Sequence, residues 1–202
     1  MLIGIDLGTT NSAVAIWRDG VAELIPNALG DLLTPSAVSI DRQRQTWVGA
    51  AALDRMANHP DDTATSFKRL MGTDKLTRLG GKDYRAEDLS ALVLMALRDD
   101  VAKHTGTAPT QAVITVPAYF NDRQRKATRR SGQIAGLDVR RLINELRLAE
   151  MKVAQRAGPS QCRAFVQTAL LDPDKAVLPD ALRRREQVLA VELADAGKLA
   201  PI

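Results

Sequence analysis

The chain has 202 residues, enough for one substantial core or two small ones, and 45% hydrophobic with 26% charged residues is a globular composition. A single cysteine, Cys162, excludes an internal disulfide and points to a reducing compartment, and no apolar run reaches the ~18 residues of a membrane-crossing helix. The chain opens directly on an apolar strand without a charged and apolar leader, so no secretory signal is expected and a cytoplasmic location is. The net charge of +4 leaves open an anionic partner, which the placement of the charges must decide.

Taken in chain order, Leu2–Leu7, Ala13–Trp17 and Ala22–Pro26 read as three short strands of a meander. Turns at Gly8–Asn11 and at Asp19-Gly20 join them, the second being a hairpin signal. Ser36–Ile40 and Thr46–Gly49 are two further short strands, and Ala50–Ala57 is a short helix ending near Pro60. From Glu87 to Val101, the residues Leu89, Leu92, Val93, Ala96, Leu97 and Val101 recur at helical spacing, with Gly106 and Pro109 closing the helix. Gln111–Val116 is a continuous apolar strand, of the kind buried on both faces, and Pro117 ends it. Asn121 with Gln124 forms a capping-box pattern for a helix running to Ala135 and stopped by Gly136, and Asp138–Ile143 is the next strand. Strand, helix and strand joined by short links imply parallel neighbours in an α/β fold.

The first turn carries the chemistry. Ile3-Gly4-Ile5-Asp6-Leu7-Gly8-Thr9-Thr10-Asn11-Ser12 runs from an apolar strand into a small polar turn. Gly8 has no Cβ to clash and tolerates positive φ, so the backbone there can approach an anion closely. Thr9, Thr10 and Asn11 add hydroxyl and amide donors beside the turn N–H groups, which suits phosphate oxygens. Asp6 cannot face phosphate without a counter-charge, and a hydrated Mg²⁺, held through one or two carboxylates plus phosphate, supplies one. The chain contains neither G-x-x-x-x-G-K-[ST] nor a G-x-G-x-x-G opening a helix, so this is neither a Walker A loop nor a dinucleotide fingerprint.

Asn121 to Leu142 holds Arg123, Arg125, Lys126, Arg129, Arg130, Arg140 and Arg141 against Asp122 and Asp138, a local excess of +5. The stretch lacks interleaved aromatics, and most of its charges fit the solvated face of one amphipathic helix, which disfavours nucleic acid as the partner.

Six motifs in order then carry a resemblance: IGIDLGTTNS, Leu33–Ser36 (LTPS), Phe67–Gly72 (FKRLMG), Val113–Thr128 (VITVPAYFNDRQRKAT), Ala135–Leu137 (AGL) and Arg141–Glu145 (RLINE). The chain resembles, over residues 1–145, the DnaK-type seventy-kilodalton heat-shock chaperones, with an overall flavour similar to the HscC subgroup. The resemblance implies the first lobe of an actin-like (ribonuclease H-like) ATPase fold that binds ATP or ADP with Mg²⁺ and drives a peptide-binding domain. By the same resemblance, a J-domain co-chaperone and a nucleotide exchange factor are the partners. Carried over, Asp6 belongs to the Mg²⁺ shell, Gly8, Thr9, Thr10 and Asn11 to the β/γ-phosphate contacts, and Lys68 to the γ-phosphate region and the attacking water. Glu145 would hold water in the second shell of the metal, and Pro117 with Arg125 would form the interdomain switch.

After Asn144-Glu145 the pattern departs. The family continues into Pro-Thr-Ala-Ala-Ala and a second phosphate loop, whereas this chain reads Leu146-Arg147-Leu148-Ala149-Glu150. Residues 146–202 are expected to be an α-helical C-terminal tail with Cys162 on an apolar helical stripe, where a core role outweighs a catalytic thiol. Three readings follow. The chain is a truncated ATP-binding chaperone lobe, its site completed by the tail or a separate chain. Alternatively it is a non-catalytic module that engages chaperone partners, or an inactive product.

Overall fold

The computed structural model describes residues 1–18 and 21–144. Its main sheet begins with the meander read from the sequence: β1 (Leu2–Asp6), β2 (Asn11–Arg18) and β3 (Val21–Leu24), each antiparallel to the last. Ile3 and Ile5 on β1 and Ser12, Val14 and Ile16 on β2 are buried and alternate with half-buried residues. A sheet with one well-covered face requires that period of two. The Asp19-Gly20 turn lies outside the described residues, as do Glu145, Cys162 and the expected helical tail.

β4 (Thr34–Pro35) pairs with the first two residues of β2, Pro35 opposite Asn11 and Thr34 opposite Ser12. β5 (Ala37–Ile40) then forms the centre of a small sheet between β6 (Thr46–Val48) and β7 (Thr63–Thr65). The helix α1 (Ala50–Met56) packs on that sheet. A hairpin of β8 (Thr77–Leu79) and β9 (Lys82–Tyr84) turns on Gly80-Gly81, both at positive φ, 53° and 76°. That pair of left-handed residues matches the turn that a twisted two-residue hairpin needs. Neither β7 nor this hairpin was expected from the sequence.

α2 (Ala86–Thr105) begins where Arg85 N–H donates to the Asp88 carboxylate, 2.9 Å. It ends at Gly106, whose φ of 72° lets its N–H reach the Ala102 carbonyl at 2.9 Å. The observed helix exceeds the expected Glu87–Val101 by one residue at the start and one turn at the end. Its buried stripe of Leu89, Val93, Leu94, Leu97 and Val101 joins Ile3, Ile5, Val14, Ile16 and Ile114 in one core.

β10 (Gln111–Val116) and β11 (Asp138–Asn144) flank α3 (Asp122–Ile134), and both strands run parallel to β1. The strand order is therefore β3-β2-β1-β10-β11. The capping box at α3 is reciprocal: Gln124 N–H to Asn121 Oδ1 and Asn121 N–H to Gln124 Oε1, both 3.0 Å. Gly132 has no side chain to hold α3 off Val139 and Ile114, so the helix lies close on the sheet. Among the described residues no helix is long and apolar enough to cross a membrane.

Candidate functional site

At β1 the strand order reverses, with β2 and β3 added on one side and β10 and β11 on the other. β1 has a parallel neighbour, β10, on one side and an antiparallel neighbour, β2, on the other. Ligands of open α/β sheets bind beyond the carboxyl ends of the parallel strands at such a point, because the connections diverge there and leave a crevice. Asp6 is the last residue of β1, Thr115 and Val116 end β10, and Asn144 ends β11. The expected polar turn springs from this same edge.

Asp6 is half-buried and accepts a 2.8 Å hydrogen bond from the Thr115 hydroxyl through Oδ1. That bond fixes the carboxylate and leaves Oδ2 without a partner among the described residues. Thr115 was not singled out from the sequence, although one hydroxyl amid Val113, Ile114 and Val116 is a signal of a polar neighbour on the adjoining strand.

Gly8 is required, for one of the two reasons expected. A Cβ built on it falls inside the Asn11 carbonyl oxygen, so no larger residue fits without moving backbone. Its φ is not positive, so the tolerance of glycine for that region is not used here. The turn spans Leu7 to Thr10, and Asn11 is already the first residue of β2. Beneath it the buried hydroxyls of Ser12 and Ser36 bond to Gly8: Gly8 N–H to Ser12 Oγ at 3.2 Å and Ser36 Oγ to Gly8 O at 2.8 Å. Ser36 N–H also reaches the Thr10 carbonyl at 2.8 Å. Sequence reasoning gave Ser12 and Ser36 no role, because they are 24 residues apart and nothing local pairs them. Thr9 and Thr10 keep both backbone N–H groups and both hydroxyls without partners among the described residues.

Lys68 is far from the surface lysine that its tetrapeptide alone suggests. It is 3% exposed and donates from Nζ to the Leu7 carbonyl, at the root of the turn. The same ammonium lies 5.6 Å from the centre of the Phe120 ring. Ser66, in the left-handed region at φ 55°, bends the chain from β7 into the 3₁₀ turn Phe67–Leu70 that buries it. A non-glycine residue held there is strained, a cost that functional sites often carry.

Pro117 is buried and ends β10, and its carbonyl accepts from Phe120 N–H at 3.0 Å. Arg125 reaches back from the first turns of α3: Nε to the Phe120 carbonyl at 3.1 Å and Nη2 to Asn144 Oδ1 at 2.6 Å. The structure thus brings Asp6, Gly8, Thr9, Thr10, Asn11 and Lys68 to one edge, with Pro117 just after β10 and Arg125 in the first turn of α3 beside it. Further out, Asp74 accepts from Arg85 at 3.0 Å and Arg123 at 2.8 Å, and these bonds hold its carboxyl below the usual carboxylate range.

The family model described as Hsp70 protein matches residues 2–78 and 73–151. The chain belongs to the Hsp70 family. The match runs six residues past the Glu145 at which the sequence resemblance ended. Membership gives the described residues their architecture, the mixed α/β layout of an actin-like ATPase fold. Hsp70 proteins are chaperones that bind nucleotide with Mg²⁺ and work with J-domain proteins and exchange factors.

The residues of this Hsp70 chain fit such a ligand. Among the described residues no three carboxylate, histidine or cysteine side chains converge into an all-protein metal cage. One pre-set carboxylate beside open hydroxyl and amide donors is instead the donor set for a mostly hydrated Mg²⁺ that shares its shell with phosphate.

Proposed function

We propose that residues 1–145 act as the nucleotide-binding lobe of a chaperone ATPase, HscC-like in subtype, taking Mg·ATP and Mg·ADP at the carboxyl edge of β1. The observation that carries this reading is the turn itself: a pinned backbone with Thr9 and Thr10 donors unengaged, between a fixed Asp6 carboxylate and a buried Lys68 ammonium. In this reading Thr9, Thr10 and Asn11 hold the β/γ-phosphates. Asp6 holds Mg²⁺ through water, and Lys68 places a fixed positive charge where the terminal phosphate meets the attacking water. Bound Mg²⁺ would neutralise phosphate charge as it develops. Glu145, which follows Asn144 at the end of β11, would hold water in the second shell of the metal. Pro117 and Arg125 would pass the nucleotide state onward, a role supported by the position of Arg125 astride Phe120 and Asn144.

Titration calorimetry with Mg·ATP and Mg·ADP tests this. Micromolar binding in wild type that is abolished in Thr9→Ala and in Lys68→Ala, with thermal stability nearly unchanged, is the expected result. Equal affinity in wild type and both variants would refute the assignment, and absence of binding in wild type would favour a non-catalytic module for chaperone partners.

A further inference from the structure

The hydroxyls beneath the turn settle their own proton order. Ser36 Oγ lies 2.8 Å from the Gly8 carbonyl, which can only accept, so the single hydroxyl proton of Ser36 is spent there. The 2.9 Å contact between Ser12 Oγ and Ser36 Oγ therefore takes its proton from Ser12. Ser12 Oγ in turn accepts from Gly8 N–H at 3.2 Å. The result is a closed, one-way ring: Gly8 N–H to Ser12, Ser12 to Ser36, and Ser36 to Gly8 C=O. Ser12 is 1% exposed and Ser36 3%, so water does not compete for these bonds.

Resting on the nucleotide reading above, we propose that Ser12 and Ser36 are positioning residues for phosphate and that the ring assigns the donors. Both backbone groups of Gly8 are turned inward and consumed, so Gly8 contributes shape and no hydrogen bond to the ligand. The phosphate-facing donors are the N–H and hydroxyl groups of Thr9 and Thr10, which the ring holds outward. A second tie, Ser36 N–H to the Thr10 carbonyl at 2.8 Å, fixes the peptide unit whose carbonyl belongs to Thr10. β4 and β5 thereby brace a turn that belongs to β1 and β2, and Ser36, between β4 and β5, is the shared strut. No atom of either serine needs to touch the ligand. Their effect is to remove the freedom the turn would otherwise lose on binding.

The experiment is a set of nucleotide titrations read by calorimetry and by backbone amide resonances. In wild type the Gly8 amide should exchange slowly with solvent before any ligand is added, and its resonance should barely move on adding Mg·ADP. The Thr9 and Thr10 amides should exchange fast and then shift and become protected. Ser36→Ala opens the ring and should weaken Mg·ADP and Mg·ATP by about tenfold, the equivalent of one ordinary hydrogen bond. Ser36→Thr, which keeps the hydroxyl, should bind within threefold of wild type. Should Ser36→Ala fail to fold, Ser12→Ala and the wild-type resonances decide the matter alone. A Gly8 amide that is unprotected, or that shifts as strongly as Thr9 and Thr10, overturns the proposal, as does unchanged affinity in Ser36→Ala. A wild type blind to nucleotide is a different result: it overturns the nucleotide reading itself and the positioning role with it, while a protected Gly8 amide would still report the ring.

Discussion

Gly72 and Gly106 offer a matched pair, because both sit at φ 72° and only their surroundings differ. A Cβ on Gly106, at the end of α2, meets nothing within 4 Å. Gly106→Ala should therefore cost only the left-handed backbone penalty, about 1 kcal/mol. A Cβ on Gly72 would lie 2.9 Å from Gln124 N, 3.0 Å from the Arg123 carbonyl carbon and 3.0 Å from Gln124 Cα. These are backbone atoms in the first turn of α3 and cannot swing aside. To the same backbone penalty Gly72→Ala adds an overpacking cost of about 1–3 kcal/mol, roughly 2–4 kcal/mol in all. At about 3 °C per kcal/mol for a folded unit of this size, the melting temperature should fall by about 3 °C in Gly106→Ala and about 6–12 °C in Gly72→Ala. Urea unfolding followed by far-ultraviolet circular dichroism measures both variants at one temperature, with equal m-values as the check that the unfolded states match. Equal destabilisation, within about 0.5 kcal/mol, would refute the close seating of the Lys68-bearing segment on α3. That seating matters because Gly72 follows Lys68 by four residues and Gln124 precedes Arg125 by one.

Thr115→Val keeps the shape of β10 but removes the hydroxyl from Asp6. Mg²⁺-dependent nucleotide affinity should fall several-fold with little change in Mg²⁺-free affinity, measured by titration with and without a chelator, and an equal loss in both would show that Thr115 does not act through Asp6. Asp74 carries a carboxyl held below its ordinary value of 3.8 by hydrogen bonds from Arg123 and then Arg85. Its stabilising contribution is complete above that value and disappears as pH falls through the lower folded-state value. Asp74→Asn should therefore narrow the stability difference between pH 7 and pH 3 in urea titrations, and the effect should shrink in high salt because the site is exposed. Asp100 behaves oppositely, its carboxyl raised chiefly by burial. Ionised at pH 7 it opposes folding, so Asp100→Asn should raise the melting temperature at pH 7 and leave it unchanged near pH 3.

Local signals were legible in the sequence and non-local ones were not. The α3 capping box, the Gly106 and Gly136 helix stops and the parallel β10 and β11 all depend on neighbours in the chain, and the structure holds them where the pattern put them. The three-residue strands β7 (TAT), β8 (TRL) and β9 (KDY) are both too short to show a period and mostly polar, so the pattern carried no trace of them, whereas the equally short but more apolar β6 (TWV) was expected. Asp6 and the turn announced themselves by composition. The buried setting of Lys68 did not, because its anchor is the Leu7 carbonyl, 61 residues earlier in the chain. The same holds for Thr115, whose partner Asp6 is 109 residues away.

That last separation has a consequence for how the molecule is made. β1 and the polar turn leave the ribosome well before β10, the parallel neighbour that completes the edge of β1, which follows more than a hundred residues later. At ~5–20 residues per second, β1 waits roughly 5–20 s for that partner. Through this interval the strand destined for the centre of the sheet has one edge unpaired and apolar residues on it uncovered. The nascent chain therefore passes through a stage in which it is itself in need of the kind of protection that its family provides.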